Sequence, residues 1–271
     1  MLDASRVHSV SSLDDPRLAC YRNLKDRELA REGGVFIAEG ELIVRRLLES
    51  GWPVESLLLS PRMLDQLEPL AASGVPVYVL PDAMLGQIVG FAFHLGVLAC
   101  GRRVAWPTLE QAARQWGRRA TVLVLPGIAN TENLGALLRI AAGFGAEAAL
   151  LGPRCGDVLY RQCVRVSMGA VFRLPIVQCD RLERDLRALR EDWGFELVAA
   201  VLEADAQPLH QAQRPDRLAL MLGNEAKGLS PEHLALCHRR LTIPMQCGTD
   251  SLNVAIAAAV FLYHFRAPAR A

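Results

Sequence analysis

The sequence predicts an α/β protein of two domains, the second built on a mostly parallel sheet with helices on both faces. Three observations predict it. Short apolar runs alternate with helical periods along most of the chain. In the second half those runs are continuously apolar, as in strands buried on both faces. The alternation breaks once, at "AWPTLEQAARQWGRRA", and then resumes. A length of 271 residues, 51% hydrophobic and 22% charged, suits two ordinary globular domains.

In order, "VFIAEG" reads as a strand and "ELIVRRLLESG" as an amphipathic helix closed by Gly51. "VESLLLS" is a strand, and "PRMLDQLEPLAASG" a helix with proline in its first turn and glycine at its end. "VPVYVL" and "HLGVLACGRRV" complete a small β/α domain over 1–104. Residues 105–117 form a linker whose middle is helical. The second domain, 118–271, runs strand "TVLVLPG", helix "NLGALLRIAAGFG", strands "AEAALLG" and "LPIVQ", helix "RLERDLRALREDWG", strands "FELVAAV", "RLALMLG" and "LTIPM", and helix "SLNVAIAAAVFLYHF".

A net charge of +1 sets up no strong global field, so a polyanion would have to meet a local patch. Almost all positive charge is arginine; Lys25 and Lys227 are the two lysines. Seven cysteines at irregular spacing fit neither a disulfide framework nor a C-x-x-C metal site, and they read as reduced thiols. The first residues carry acids and no apolar core, unlike a signal peptide, and the apolar run Val254 to Phe265 is too short for a bilayer. The expectation is a soluble, cytoplasmic protein without a membrane or metal partner.

Ligands of parallel sheets bind beyond the carboxyl ends of the strands. Three polar turns follow apolar strands there: "IANTENLGALLRI", "NEAKGLSPEH" and "QCGTDSLNVAIA". If their strands are neighbours, Asn133, Arg139, Asn224, Glu225, Ser251 and Asn253 converge on one edge. Thr131 or Asn133 would serve equally as a helix cap, and Ser251 as the N-cap of the last helix. The set contains no metal cluster and no strong nucleophile. A G-x-G-x-x-G turn, a G-K-[ST] phosphate loop and a G-x-S-x-G elbow are all missing, and the six histidines are scattered.

"NTENLGALLRIAAGFGAEAALLGPRC", "VRVSMGAVFRLPI", "LMLGNEAKGLSPE" and "LTIPMQCGTDSLNVAIAAAVFLY" resemble, in order and spacing, the motifs of the SpoU (TrmH-like) RNA 2′-O-ribose methyltransferases of the SPOUT superfamily. The region "SLDDPRLACYRNLKDRELAREGGVFIAEGELIVRRLL" resembles the substrate-binding domain that precedes the catalytic domain in many members. The resemblance implies a deep trefoil knot in the second domain, S-adenosylmethionine as cofactor, a homodimer formed through that domain, and RNA as substrate. It matches Asn133, Arg139, Glu225, Ser251 and Asn253 to the family's catalytic positions. Leu222, Gly223, Asn224, Ile243, Met245, Ser251 and Leu252 match its cofactor pocket, and Ser167 the serine that frames the site. Two departures stand out: Asn130-Thr131-Glu132 replaces an Asp-Pro-Gly common in relatives, and Ala226 stands where glycine is common.

On this resemblance RNA contacts fall to Arg22, Arg45 and Arg46, with Arg102 and Arg103 beside them. Ribosomal RNA is expected ahead of transfer RNA. Arg139 is open as a base or as an electrostatic anchor, since a protonated guanidinium has no lone pair to accept a proton. A silent binding protein and a base methyltransferase of the same superfamily remain the alternatives.

Overall fold

The computed structural model describes residues 6–22, 34–64, 74–90, 93–203, 205–224, 227–247 and 251–266. The chain forms two compact units, Met1–Ala105 with Leu159–Phe172, and Trp106–Val158 with Arg173–Ala271.

The first unit holds β1 (Val7–Ser9), β2 (Val35–Glu39), α1 (Glu41–Glu49), β3 (Val54–Leu59), β4 (Val77–Val79), α2 (Asp82–Val89) and β5 (Val97–Arg102). Its sheet has the order β1-β4-β3-β5-β2, parallel through β1, β4 and β3, with β5 antiparallel to both neighbours. The expected helix after β3 is seen as a short 3-10 turn, Pro61–Met63, and residues 65–73 of it lie outside those described. Gly101 of β5 is opposite Phe36 of β2, and a Cβ at Gly101 would meet the Phe36 ring at 2.2 Å. Only glycine leaves room for that ring. Trp52 meets Phe36 edge-on at 5.6 Å between centroids, and Phe172 lies 5.6 Å from it at a tilt.

Phe172 belongs to the segment that the sequence puts with the second domain. That segment carries α5 (Arg161–Val166), fifth in chain order of the eight α-helices among the described residues. Arg161 pairs with Glu39, whose side chain is 5% exposed, and Arg46 donates to the Met168 carbonyl. Packing and charge compensation therefore assign 159–172 to the first unit, a long-range preference that local sequence does not encode.

The second unit opens with α3 (Leu109–Ala113), held by a reciprocal capping box between Thr108 and Gln111. The expected linker is thus part of this unit's core: Leu109, Ala112 and Trp116 are buried, and Trp116 meets Phe195 edge-on at 5.0 Å. Then follow β6 (Ala120–Leu125), α4 (Thr131–Gly143), β7 (Ala148–Leu151), β8 (Ile176–Gln178), α6 (Leu182–Glu191), β9 (Glu196–Ala200), β10 (Gln207–Pro208), β11 (Arg217–Leu222), α7 (Pro231–Leu236), β12 (Arg239–Thr242) and α8 (Val254–Phe265). The seven strands run in the order β10-β12-β9-β11-β6-β7-β8, every pair parallel. β6 and β7 are buried at every residue, which explains their unbroken apolar sequence. On α6, Leu182, Leu186 and Leu189 form the buried stripe that its period predicts. No helix among the described residues is long and apolar enough to cross a membrane.

Removing the Glu39 carboxylate takes a charged partner from the Arg161 guanidinium, whose side chain is 17% exposed. Glu39→Ala is expected to cost about 3 kcal/mol, within the range for breaking a buried ion pair. Adding Arg161→Met to it should recover part of that loss, as read from urea unfolding curves of the three variants. Additive losses in the double variant would show that the pair contributes nothing.

Candidate active site

Every strand of the second unit ends on the same side, and the polar turns lie there. After β6 the chain turns into α4. The helix cap is Asn130: its carboxamide oxygen accepts the Glu132 and Asn133 N–H groups at 2.9 and 3.1 Å. Neither Thr131 nor Asn133, the two expected caps, serves as one. Asn133 is therefore left with its side chain in the wall of a cavity.

The turn after β11 is built around one amide. Asn224 Nδ2 donates to the Gly127 carbonyl at 3.0 Å, and its Oδ1 accepts the Lys227 N–H at 3.2 Å. The Asn224 and Gly228 backbones exchange hydrogen bonds of 3.1 and 2.8 Å, and Gly228 takes φ +64°. A Cβ on Gly223 would meet the Gly228 backbone at 2.4 Å, so the turn closes only over glycine. Glu225 and Ala226 lie outside the described residues.

β12 ends at Thr242, before Ile243-Pro244-Met245, a stretch where the proline has no N–H to offer a ladder. α8 is capped by Asn253, whose Oδ1 accepts the Ala255 N–H at 2.9 Å. Ser251, the expected cap, is instead exposed and lines the cavity. The Asn253 Nδ2 donates to Asn133 Oδ1 at 3.0 Å, which joins the starts of α4 and α8.

These turns enclose a cavity of about 780 Å³. Of the residues singled out from the sequence it brings together Asn133, Leu222, Gly223, Asn224, Ile243, Met245, Ser251, Leu252 and Asn253. Arg139 is exposed on α4 and outside the lining. Six residues beyond Asn133, it is about 9 Å further along the helix and about 120° around it.

The sequence reading missed a fourth wall. β9 runs between β11 and β12, so the end of β9 and its turn, Ala200 to Glu203, also line the cavity, as do Lys227 and Leu229. The rule that sites sit at the carboxyl ends of parallel strands would have found Ala200, because "FELVAAV" is legible as such a strand.

The residues assigned to RNA lie in the first unit. Arg22 donates to the carbonyls of Leu13 and Asp15 at 2.5 and 3.0 Å, Arg45 pairs with Glu41 at 2.9 Å, and Arg46 holds Met168. Ser167 is fully buried there, its hydroxyl donating to the Val164 carbonyl at 2.9 Å.

The chemistry on offer is that of neutral amides and a hydroxyl, with two charged residues, Glu203 and Lys227, in the same lining. The Cys155 thiol donates to the Leu125 carbonyl at 3.1 Å, and burial pushes the Cys237 thiol up to about 11. Neither is an activated nucleophile. Among the described residues no group of three or more His, Cys, Asp or Glu could hold a metal ion. The volume and lining, with apolar Leu222, Leu229, Ile243, Met245 and Leu252 beside a few amides and one hydroxyl, suit a small organic ligand with a flat apolar part and polar ends.

Residues 120–263 match the SpoU rRNA Methylase family, and residues 15–90 match the MRM3-like substrate binding domain. An uncharacterized tRNA/rRNA methyltransferase of Mycobacterium tuberculosis is 39% identical over 269 residues, covering 96% of this chain and 92% of the relative. The 23S rRNA (guanosine-2′-O-)-methyltransferase RlmB of Salmonella typhimurium is 30% identical over 208 residues, 74% of this chain and 83% of its own. Among solved structures, the AdoMet-bound rRNA methyltransferase from Sinorhizobium meliloti superposes with a TM-score of 0.81 at 26% identity, covering 96% of this chain and 98% of that one. The chain belongs to the SpoU rRNA methylase family.

Proposed function

We propose that this protein transfers a methyl group from S-adenosylmethionine to a ribose 2′-hydroxyl of RNA, with ribosomal RNA as the substrate. The observation that carries the reading is the cavity at the strand ends, where Asn133, Ser251 and Asn253 meet the apolar turns after β11 and β12. The Salmonella relative, whose name states a guanosine-2′-O activity on 23S rRNA, supports the choice of acceptor. The MRM3-like match over 15–90 supports an RNA-holding role for the first unit.

The cofactor fits the residues present. Asn133, Ser251 and Asn253 offer polar side chains at the cavity wall, and Leu222, Leu229, Ile243 and Leu252 offer apolar walls to a base. When bound, S-adenosylmethionine supplies a methyl group already activated by its sulfonium.

The chain's own work is then to bind and orient the acceptor and to favour release of its proton to water. A ribose hydroxyl is a poor nucleophile until its proton leaves, and alignment of the reacting atoms lowers the barrier further. Asn133, Ser251 and Asn253 supply donors and acceptors for ribose and phosphate oxygens. Arg139 anchors the target nucleotide and assists loss of the 2′-hydroxyl proton, and Glu225, outside the described residues, belongs to the same proposed catalytic set.

Because Arg139 lies outside its own chain's cavity lining, it would act on a site completed by a second copy. α8 offers the surface: Ile256, Val260 and Tyr263, at helical spacing, are 54%, 39% and 55% exposed. The dimer, the threading of the last strands into a knot, and cytoplasmic residence with the RNA are all part of this reading.

Purified protein with labelled S-adenosylmethionine, incubated with unmodified ribosomal and transfer RNA, should yield a 2′-O-methyl nucleoside from the ribosomal pool on digestion. A methylated base, or label only in transfer RNA, would refute the acceptor or the substrate. Arg139→Ala should lower turnover by about 100-fold or more while leaving cofactor affinity within about 2-fold, the pattern of a lost transition-state contact. An Arg139→Lys variant that keeps most of its turnover would rule out a guanidinium-specific role.

Asn253→Asp keeps an oxygen to cap α8 but has no N–H for Asn133. It should leave thermal stability near wild type and still cut kcat by about 10- to 100-fold, since small misplacements are costly to aligned reactions. Asn253→Ala should additionally lose about 1 kcal/mol of stability through the missing cap. Equal kcat for Asn253→Asp and wild type would show that the Asn133 hydrogen bond is idle.

A further inference from the structure

Lys227 is one of two lysines in the chain and lines the wall of the cavity, and the sequence reading gave it no role in the site. Its backbone is fixed. The Lys227 N–H is held by Asn224 Oδ1 at 3.2 Å, and the next residue, Gly228, is tied back to Asn224 by the paired backbone bonds. Its side chain is exposed, and it makes no ion pair or hydrogen bond with any described residue. The lysine ammonium is a flexible, hydrated point charge, which suits an ion that arrives and departs better than a permanent structural pair.

The charges around it favour an anion. The other charged residue in the described lining, Glu203, is already paired with Arg240 at 3.1 Å. Asn133 in the first turn of α4 and Asn253 at the cap of α8 are in the same lining, so both helices begin there with their partial positive ends. Lys227 is thus the described lining's uncompensated full charge.

We propose that Lys227 forms an anion-binding subsite at the mouth of this cavity, taking a singly charged oxygen group of a reactant. This rests on the methyltransfer reading, which brings two such groups to the cavity: a phosphodiester of the RNA strand and the amino-acid carboxylate of the cofactor. The chemistry recognised is the same for either source.

The test compares wild type with Lys227→Ala, Lys227→Arg and Lys227→Glu. S-adenosylmethionine affinity is read by calorimetry, affinity for an unmodified ribosomal RNA fragment by filter binding across a salt series, and thermal midpoints serve as the check on folding. One of the two affinities should fall about 5- to 20-fold in Lys227→Ala and further in Lys227→Glu, with Lys227→Arg restoring it to within about 3-fold.

If the source is the phosphodiester, RNA affinity falls, its salt slope drops by about 0.7 to 0.9, and cofactor affinity is unchanged. If it is the carboxylate, cofactor affinity falls, while methylthioadenosine, which lacks the carboxylate, binds all four proteins alike. Unchanged affinity for both ligands in folded Lys227→Ala and Lys227→Glu overturns the subsite. Because these are binding measurements, a wild type that binds both ligands and transfers no methyl would refute the methyltransfer reading while still deciding the role of Lys227.

Discussion

The parallel pairing of β11 with β6 on one side and β9 on the other is the constraint on which the rest of the structure depends. Met221 is in register with Val124 of β6 and with Ala199 of β9. Three residues beyond that level, Asn224 lies beside Gly127, and the side-chain amide makes the hydrogen bond that the diverging backbones no longer can. The strand ladder is thereby extended by one rung into the turns. A one-residue slip of β11 would exchange the side chains on its two buried faces and move Asn224 out of reach of Gly127. Gly223 has no such freedom either, since the turn leaves no space for a Cβ.

From that rung the cavity follows. The β6 turn is held by Asn224 from one side and by Cys155 and Gly156 from the other, where the Ile128 N–H and carbonyl are both satisfied. Asn130 can then cap α4 and leave Asn133 to meet Asn253. The polar groups so gathered are neutral amides and a hydroxyl. In the proposed reaction they orient oxygen atoms without adding another positive charge next to a sulfonium. The full charges in the same lining are Lys227 and Glu203, the latter paired with Arg240 of β12.

Much of this was legible in the sequence, and the parts that were not share a cause. Strand identity was readable because burial on both faces leaves a continuous apolar run, and the polar turns were readable because they interrupt it. The cap assignments failed because Asn130, Thr131 and Asn133 are all competent caps. Which one serves depends on where the β6 turn is pinned, a contact of Gly127 with a residue 97 positions away. The wall from β9 was missed because strand order is not written in local pattern. Residues 159–172 were read as part of the second domain since they sit between two of its strands. Their allegiance is decided by Phe36, Trp52 and Glu39, more than 100 residues earlier.

Arg22, Arg45 and Arg46 show the same limit from another direction. Each is expected as an RNA contact, and each also donates to a carbonyl or carboxylate of its own unit. Arginine is the side chain best able to satisfy several acceptors at once, so its presence in a sequence marks a need for donors without saying whose.

A crystal structure of the protein with S-adenosylhomocysteine tests the central claim most directly. The expected density lies between the turns at 222–229 and 243–252, with the base against Leu222, Ile243 and Leu252 and the sulfur facing Asn133 and Asn253. Density for the ligand at any other place on the second unit, with this cavity filled only by solvent, would contradict it.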